Sequence, residues 1–126
     1  MMDKELTAQF IGTLLHSATI THFKHWLVTG VGSDAAHRAL SDYYDEIVDL
    51  VDSLTESIQG AYDELVEPYP PSFDNSPLEP LGYMRALRQY VRIQRAGLPQ
   101  DSEIQNEIDS IATLINHTVY RLTFLK

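Results

Sequence analysis

Residues 67–80 read EPYPPSFDNSPLEP and hold all but one of the chain's 6 prolines. Helical periodicity lies on both sides, and no helix runs through such a density of proline. The whole non-periodic segment, Ala61–Glu79, is longer than the few residues that join antiparallel neighbours in a bundle. The helix before it is about 40 Å long at ~1.5 Å per residue. About nineteen residues at up to ~3.3 Å each can run back along all of it. The segment therefore reads as a crossover that starts the third helix at the same end as the second. A flexible linker is the plainer alternative, but the two halves are too small to be separate domains.

Outward from the crossover, the second helix has the clearest period. Leu40, Tyr44, Ile47, Val51, Leu54 and Ile58 recur in steps of four and three, the seam of a bundle helix. Ser33 is its expected N-cap and Gly60 its expected end. Pro80 opens the third helix, with Leu81, Met84, Leu87 and Val91 inward, and Gly97 and Pro99 close it. Ser102 and Gln105 look like a capping box for the fourth, whose inner face is Ile104, Ile108, Ile111, Ile115, Thr118, Leu122 and Leu125. The first helix runs from Asp3, an N-cap, to about Thr29, with Leu6, Phe10, Leu14 and Phe23 inward, and Gly30 and Gly32 stop it. No stretch alternates as a strand does, and no internal repeat is evident. The expected fold is all-α: one domain over residues 1–126, a ferritin-like four-helix bundle with a long crossover between its second and third helices.

The chain has 126 residues, with 9 Lys and Arg against 18 Asp and Glu, a formal charge of −9. Such a surface repels phosphate backbones, so no nucleic-acid partner is expected. There is no cysteine, which removes disulfides, thiol catalysis and thiolate metal sites together. The opening MMDKELTAQF lacks the apolar core of a signal peptide, and no run approaches the roughly 18 apolar residues a bilayer requires. The expectation is a soluble cytoplasmic protein without a membrane partner.

The second helix also carries a polar stripe. With His37 at zero on a wheel of about 100° per residue, Ser41, Asp52, Asp45, Glu56 and Asp49 fall between about 40° and 120°. The apolar seam occupies about 260° to 340°. A solvated acidic face is the ordinary explanation of such a stripe. Against it stand the repulsion among four carboxylates spaced a turn apart and the histidine that heads them. Imidazole with carboxylates is the donor set of iron, manganese or zinc. His25 and His37 flank the Gly30–Ser33 turn, so antiparallel packing can bring them to one height. Asp52 lies about 22 Å beyond His37 along the helix. One chain cannot hold a single ion with all of them, but two chains paired about a two-fold axis can. An intrachain di-metal site would carry Glu-x-x-His motifs, and the sequence has none.

These residues together resemble the mini-ferritin family, the DNA-binding proteins from starved cells. The stretch HWLVTG, His25–Gly30, is similar to that family's His-Trp-Asn-Val-x-Gly signature. The family's next histidine falls on His37, and its Asp and Glu four apart fall on Asp52 and Glu56. The resemblance implies a ferroxidase centre formed by His25, His37, Asp52 and Glu56 across a homodimer interface. It also implies a higher shell such as a dodecamer, with Fe(II) oxidised by peroxide or oxygen and stored. Ser41 stands where the family usually has an aspartate and would be a weak ligand at a second metal position. Leu27 replaces the signature asparagine, and the basic tail is missing, so DNA binding is not implied.

Trp26, His22 and Asp49 are placed beside the ligands, with Trp26 packing at the interface and His22 in a supporting or structural role. His16 and His117 have no converging partners and read as structural or surface residues. Arg85, Arg88, Arg92 and Arg95 form a basic stripe on the third helix, read as a solvent face or an inter-subunit contact. The alternative function is a ferritin-like structural or interaction protein whose metal site is degraded at Ser41, without ferroxidase activity.

Overall fold

A computed structural model describes residues 2–126. Among them are four α-helices and no strand: α1 Lys4–Leu27, α2 Ser33–Tyr62, α3 Pro80–Gln94 and α4 Ser102–Phe124, with a 3-10 turn Arg95–Gly97 after α3. None of these helices is long and apolar enough to cross a membrane. α2 packs against both α1 and α4, and α4 packs against α3.

Contacts at the helix ends fix the directions. At one end Lys4 pairs with Glu64, the Tyr62 hydroxyl donates to Asp101, and Leu6 lies over Gly97. At the other, Lys24 donates to the carbonyls of Ser76 and Leu78, and Gly32 abuts Lys126. Residues 64–79 therefore travel from the first end to the second. Midway, the Phe73 ring stacks on His16 and covers Gly12 of α1. A Cβ on Gly12 would stand 2.5 Å from the tip of that ring, so only glycine admits it without displacement.

One apolar core runs through all four helices. Ile104, Ile108, Ile111 and Ile115 of α4 are fully buried, as are Leu40, Ile47, Leu54 and Ile58 of α2. Tyr43, not Tyr44, completes the α2 seam: it is 0 % exposed and shares a 2.8 Å hydrogen bond with Ser17. Tyr44 is half-buried at the edge facing α1.

α1 departs furthest from its expected face. Leu6 is half-buried and Phe23 is exposed, while Thr7, Ser17, Thr21 and His25 join Phe10 and Leu14 inside. The buried hydroxyls are satisfied by α1's own carbonyls: Thr7 donates to Asp3, Ser17 to Leu14 and Thr21 to Ser17. Small, internally bonded side chains can thus occupy a face that a hydrophobicity count passes over. At the far end of α4, Leu125 lies beyond the helix and is exposed rather than buried.

Helix boundaries follow local chemistry. Asp3 caps α1 by accepting from the Leu6 N–H at 3.0 Å. α1 ends at Leu27, two residues before the expected Thr29, because Val28 is extended. Ser33 is the first helical residue rather than the cap, a place taken by left-handed Gly32 at φ 83°. Gly60 does not stop α2. The helix continues to Tyr62, held by the bond to Asp101, and Asp63 turns the chain at φ 53°. The Ser102–Gln105 capping box does not form. Asp101 is the N-cap, and Gln105 instead donates to the carbonyls of Arg95 and Pro99 while accepting from the Arg95 guanidinium.

The Phe73–Gly12 contact yields a sign reversal that thermal melts can check. Gly12→Ala should destabilise the wild type by about 1–2 kcal/mol, because overpacking against Phe73 outweighs the better helix former. In a Phe73→Ala background the same substitution should stabilise by about 1 kcal/mol, the intrinsic alanine preference.

Candidate metal centre

The last turn of α1 and the first turns of α2 bring His25 and His37 face to face, with ring centroids 4.0 Å apart and planes 28° apart. Two glycines in the connecting turn make this possible. Gly30 at φ 87° and Gly32 at φ 83° take left-handed conformations that other residues resist, and they reverse the chain within five residues. His37 Nδ1 lies 2.9 Å from the His25 main-chain carbonyl. A carbonyl only accepts, so Nδ1 carries a proton and donates it there, which turns Nε2 to the opposite side of the ring. Metal-bound imidazoles are oriented in this way.

His25 is buried. Its Nε2 lies 3.4 Å from the Tyr44 hydroxyl, and its Nδ1 has no hydrogen-bond partner among the described residues. Burial, then the adjacent His37 and His22, lower its pKa, so it stays neutral near pH 7 with a lone pair to give. His22 lies flat on the Tyr44 ring at 4.1 Å and 11° and meets Trp26 at 4.6 Å. Trp26, Leu27 and Val31 are 63 %, 75 % and 106 % exposed, an apolar rim beside the histidine pair.

The carboxylates lie elsewhere. Asp45, Asp49, Asp52 and Glu56 line the solvent side of α2, and Asp52 begins about 22 Å from His37 along the helix. Among the described residues, no three His, Asp or Glu side chains converge closely enough to hold an ion. One chain thus presents a two-histidine half of the expected ligand set, with Asp52 and Glu56 remote from it. The Ser41 hydroxyl donates to the His37 carbonyl at 3.0 Å, tied to its own helix. Asp42 turns away to pair with Arg121 at 2.6 Å. Between α1 and α2, a groove of about 380 Å³ is lined by Ala18, Thr19, His22, Tyr44, Asp45, Val48 and Asp49.

His16 stacks on Phe73 with its buried Nε2 left without a hydrogen-bond partner among the described residues, and His117 is exposed on α4. The arginine stripe is shorter than expected. Arg85 and Arg92 are exposed and Arg88 is half-buried, but Arg95 sits in the 3-10 turn and pairs with Asp109 at 2.6 Å. Tyr44, which the periodicity placed in the seam, lies instead beside His22 and His25. The signal was available in the adjacent Tyr43, which keeps a three-and-four spacing between Leu40 and Ile47.

The chain belongs to the family of unknown function DUF5856, whose profile matches residues 32–122, from the end of the hairpin turn through most of α4. No curated protein and no solved structure matches the chain.

The lowered His25 pKa has a pH consequence with a definite sign. The unfolded chain binds this proton more readily than the folded one, so stability is full above the unfolded value of about 6.5. It falls as pH drops below that value toward the lower folded one. Urea midpoints at about pH 7.5 and pH 5.5 should show a larger acid loss in wild type than in His25→Asn.

Proposed function

We propose that this family member is a mini-ferritin, which binds Fe(II) between two copies of the chain and oxidises it with peroxide or oxygen. The observation that carries this reading is the His25–His37 pair: two imidazoles stacked at 4.0 Å, with His37 Nδ1 turned to the His25 carbonyl and, among the described residues, no carboxylate converging to complete a site. A second copy, antiparallel about a two-fold axis, would bring its Asp52 and Glu56 to this pair. The exposed Trp26, Leu27 and Val31 give such a dimer apolar surface to bury. The path of residues 64–79 along α1 supports a ferritin-like crossover, with α2 and α3 running in the same direction.

In this reading Fe(II) is the substrate. His25 and His37 hold it by nitrogen and the partner copy's carboxylates by oxygen, a donor set that also admits zinc or manganese as competitors. The ion gives an electron to the oxidant and leaves as Fe(III), which hydrolyses to mineral within a closed shell such as a dodecamer. The net charge of −9 would draw Fe(II) toward that shell. The setting is cytoplasmic, and the protein partner is the chain itself. A second reading, an interaction protein without oxidase activity, rests on Ser41, whose hydroxyl is bound to its own helix where a carboxylate ligand would serve better.

Anaerobic Fe(II) titration followed by peroxide separates the two. Wild type should oxidise iron quickly and saturably, and His37→Ala or Glu56→Ala should slow it by at least ~10-fold, the scale seen when a metal site loses its support. Oxidation no faster than in protein-free iron solution would exclude the enzyme.

A further inference from the structure

We propose that the cleft between α1, α3 and the crossover binds a small neutral aromatic alcohol, a one- or two-ring phenol, whose hydroxyl pairs with His16 and Tyr90. The cleft holds about 310 Å³, near the lower end for small-molecule sites, and lies on the α3 side of α1, away from the His25–His37 pair. Ile20, Phe73, Tyr83 and Leu87 give it apolar and aromatic walls. Three buried side-chain polar atoms among the described residues have no hydrogen-bond partner, and two of them belong to residues lining this cleft: His16 Nε2 and the Tyr90 hydroxyl. Thr13 also borders the cleft, but its hydroxyl accepts from Gln9 at 3.3 Å and leaves the phenol unpaired. Native proteins seldom leave such atoms unpaired, because each one destabilises the fold. Two at one cleft point to a ligand that supplies the missing partner.

The polar atoms and the charge of the lining select the class of ligand. A hydroxyl both donates and accepts, so it can pair with an imidazole nitrogen in either tautomer and with a phenol. Among the described residues, no lysine or arginine lines the cleft, whereas Asp74 does, and the chain carries a net charge of −9. A carboxylate or phosphate would enter against that field. Rings suit the walls, because aromatic faces attract one another in offset or tilted pairs. Two sides of the cleft are held and the third yields. Tyr90 stacks on the fully buried Phe10 at 5.8 Å, and His16 is fixed on α1. Phe73, stacked on His16 at 5.3 Å, belongs to residues 64–79, which form no helix. Its ring is the wall that swings as the ligand's ring takes a place against His16 and the hydroxyl reaches the two buried atoms.

Equilibrium dialysis of the full chain against naphthol, naphthalene and naphthoate tests this, since the three share one ring system and differ only in the polar group. Wild type should bind naphthol saturably, one per chain, and naphthoate more weakly. Tyr90→Phe should weaken naphthol about 3- to 10-fold, the scale of one net hydrogen bond, and leave naphthalene unchanged. His16→Phe, which keeps a ring against Phe73, should act in the same direction. Ala86→Trp, at the exposed border of the cleft, should block all three probes. Without ligand, Tyr90→Phe should melt no lower than wild type, because it removes a buried hydroxyl that has no partner. A hydroxyl that served the fold alone would give a lower melting temperature. The proposal is overturned if naphthol shows no saturable binding, if Tyr90→Phe and His16→Phe bind it as wild type does, or if Ala86→Trp leaves it bound. A lower melting temperature for ligand-free Tyr90→Phe would overturn it as well.

Discussion

The bond from the His37 ring to the His25 carbonyl closes the first helical hairpin, and the arrangement of the candidate site depends on it. It is worth about 1 kcal/mol net, as neutral hydrogen bonds are, but its geometric effect is larger. It sets one imidazole over the other and turns the second ring nitrogen of His37 to the opposite side. Gly30 and Gly32 make the bond reachable by turning the chain through left-handed conformations. From that point α2 is a rigid rod, so the positions of Asp52 and Glu56 relative to the histidines follow from the helical rise alone.

The packing of α1 explains why this end of the molecule faces outward with apolar groups. The buried face of α1 carries small hydroxyl residues that are bonded to backbone carbonyls nearby in the chain, with Ser17 also paired to Tyr43 of α2. Burial pushes the Tyr43 phenol well above its usual range, so it stays a neutral hydrogen-bonding partner in the core. Large apolar side chains are left for the other face, where Leu15, Phe23, Trp26 and Leu27 are exposed. In the proposed dimer a paired chain would bury that surface.

The strongest periodicities in the sequence translated directly into structure. The isoleucines of α4 and the alternation from Ile47 to Ile58 in α2 name their buried faces because packing there is purely apolar. The proline-rich run marked the long connection, since proline excludes helix whatever surrounds it. α1 was less legible because Thr7, Ser17 and Thr21 are buried through hydrogen bonds that hydrophobicity does not register. Helix ends were missed where tertiary bonds outweighed local capping, as when Tyr62 and Asp101 carried α2 past Gly60. At the site, the spacing of His25 and His37 foretold their meeting, and the helical rise foretold the distance to Asp52. Tyr44 was misplaced in the seam because its neighbour Tyr43 fits the same spacing, and only packing decides between them.

The central claim is that each site draws its ligands from two chains, and intersubunit complementation tests it most directly. His37→Ala and Glu56→Ala chains, each strongly slowed alone, can be co-expressed or refolded together. A mixed dimer then has one site with both lesions and one with none. The account predicts that an equal mixture regains about a quarter of the wild-type sites, since about half of randomly assorted two-fold dimers are mixed and each holds one intact site. A mixture no more active than either parent, with mixed dimers present by native mass measurement, would contradict it.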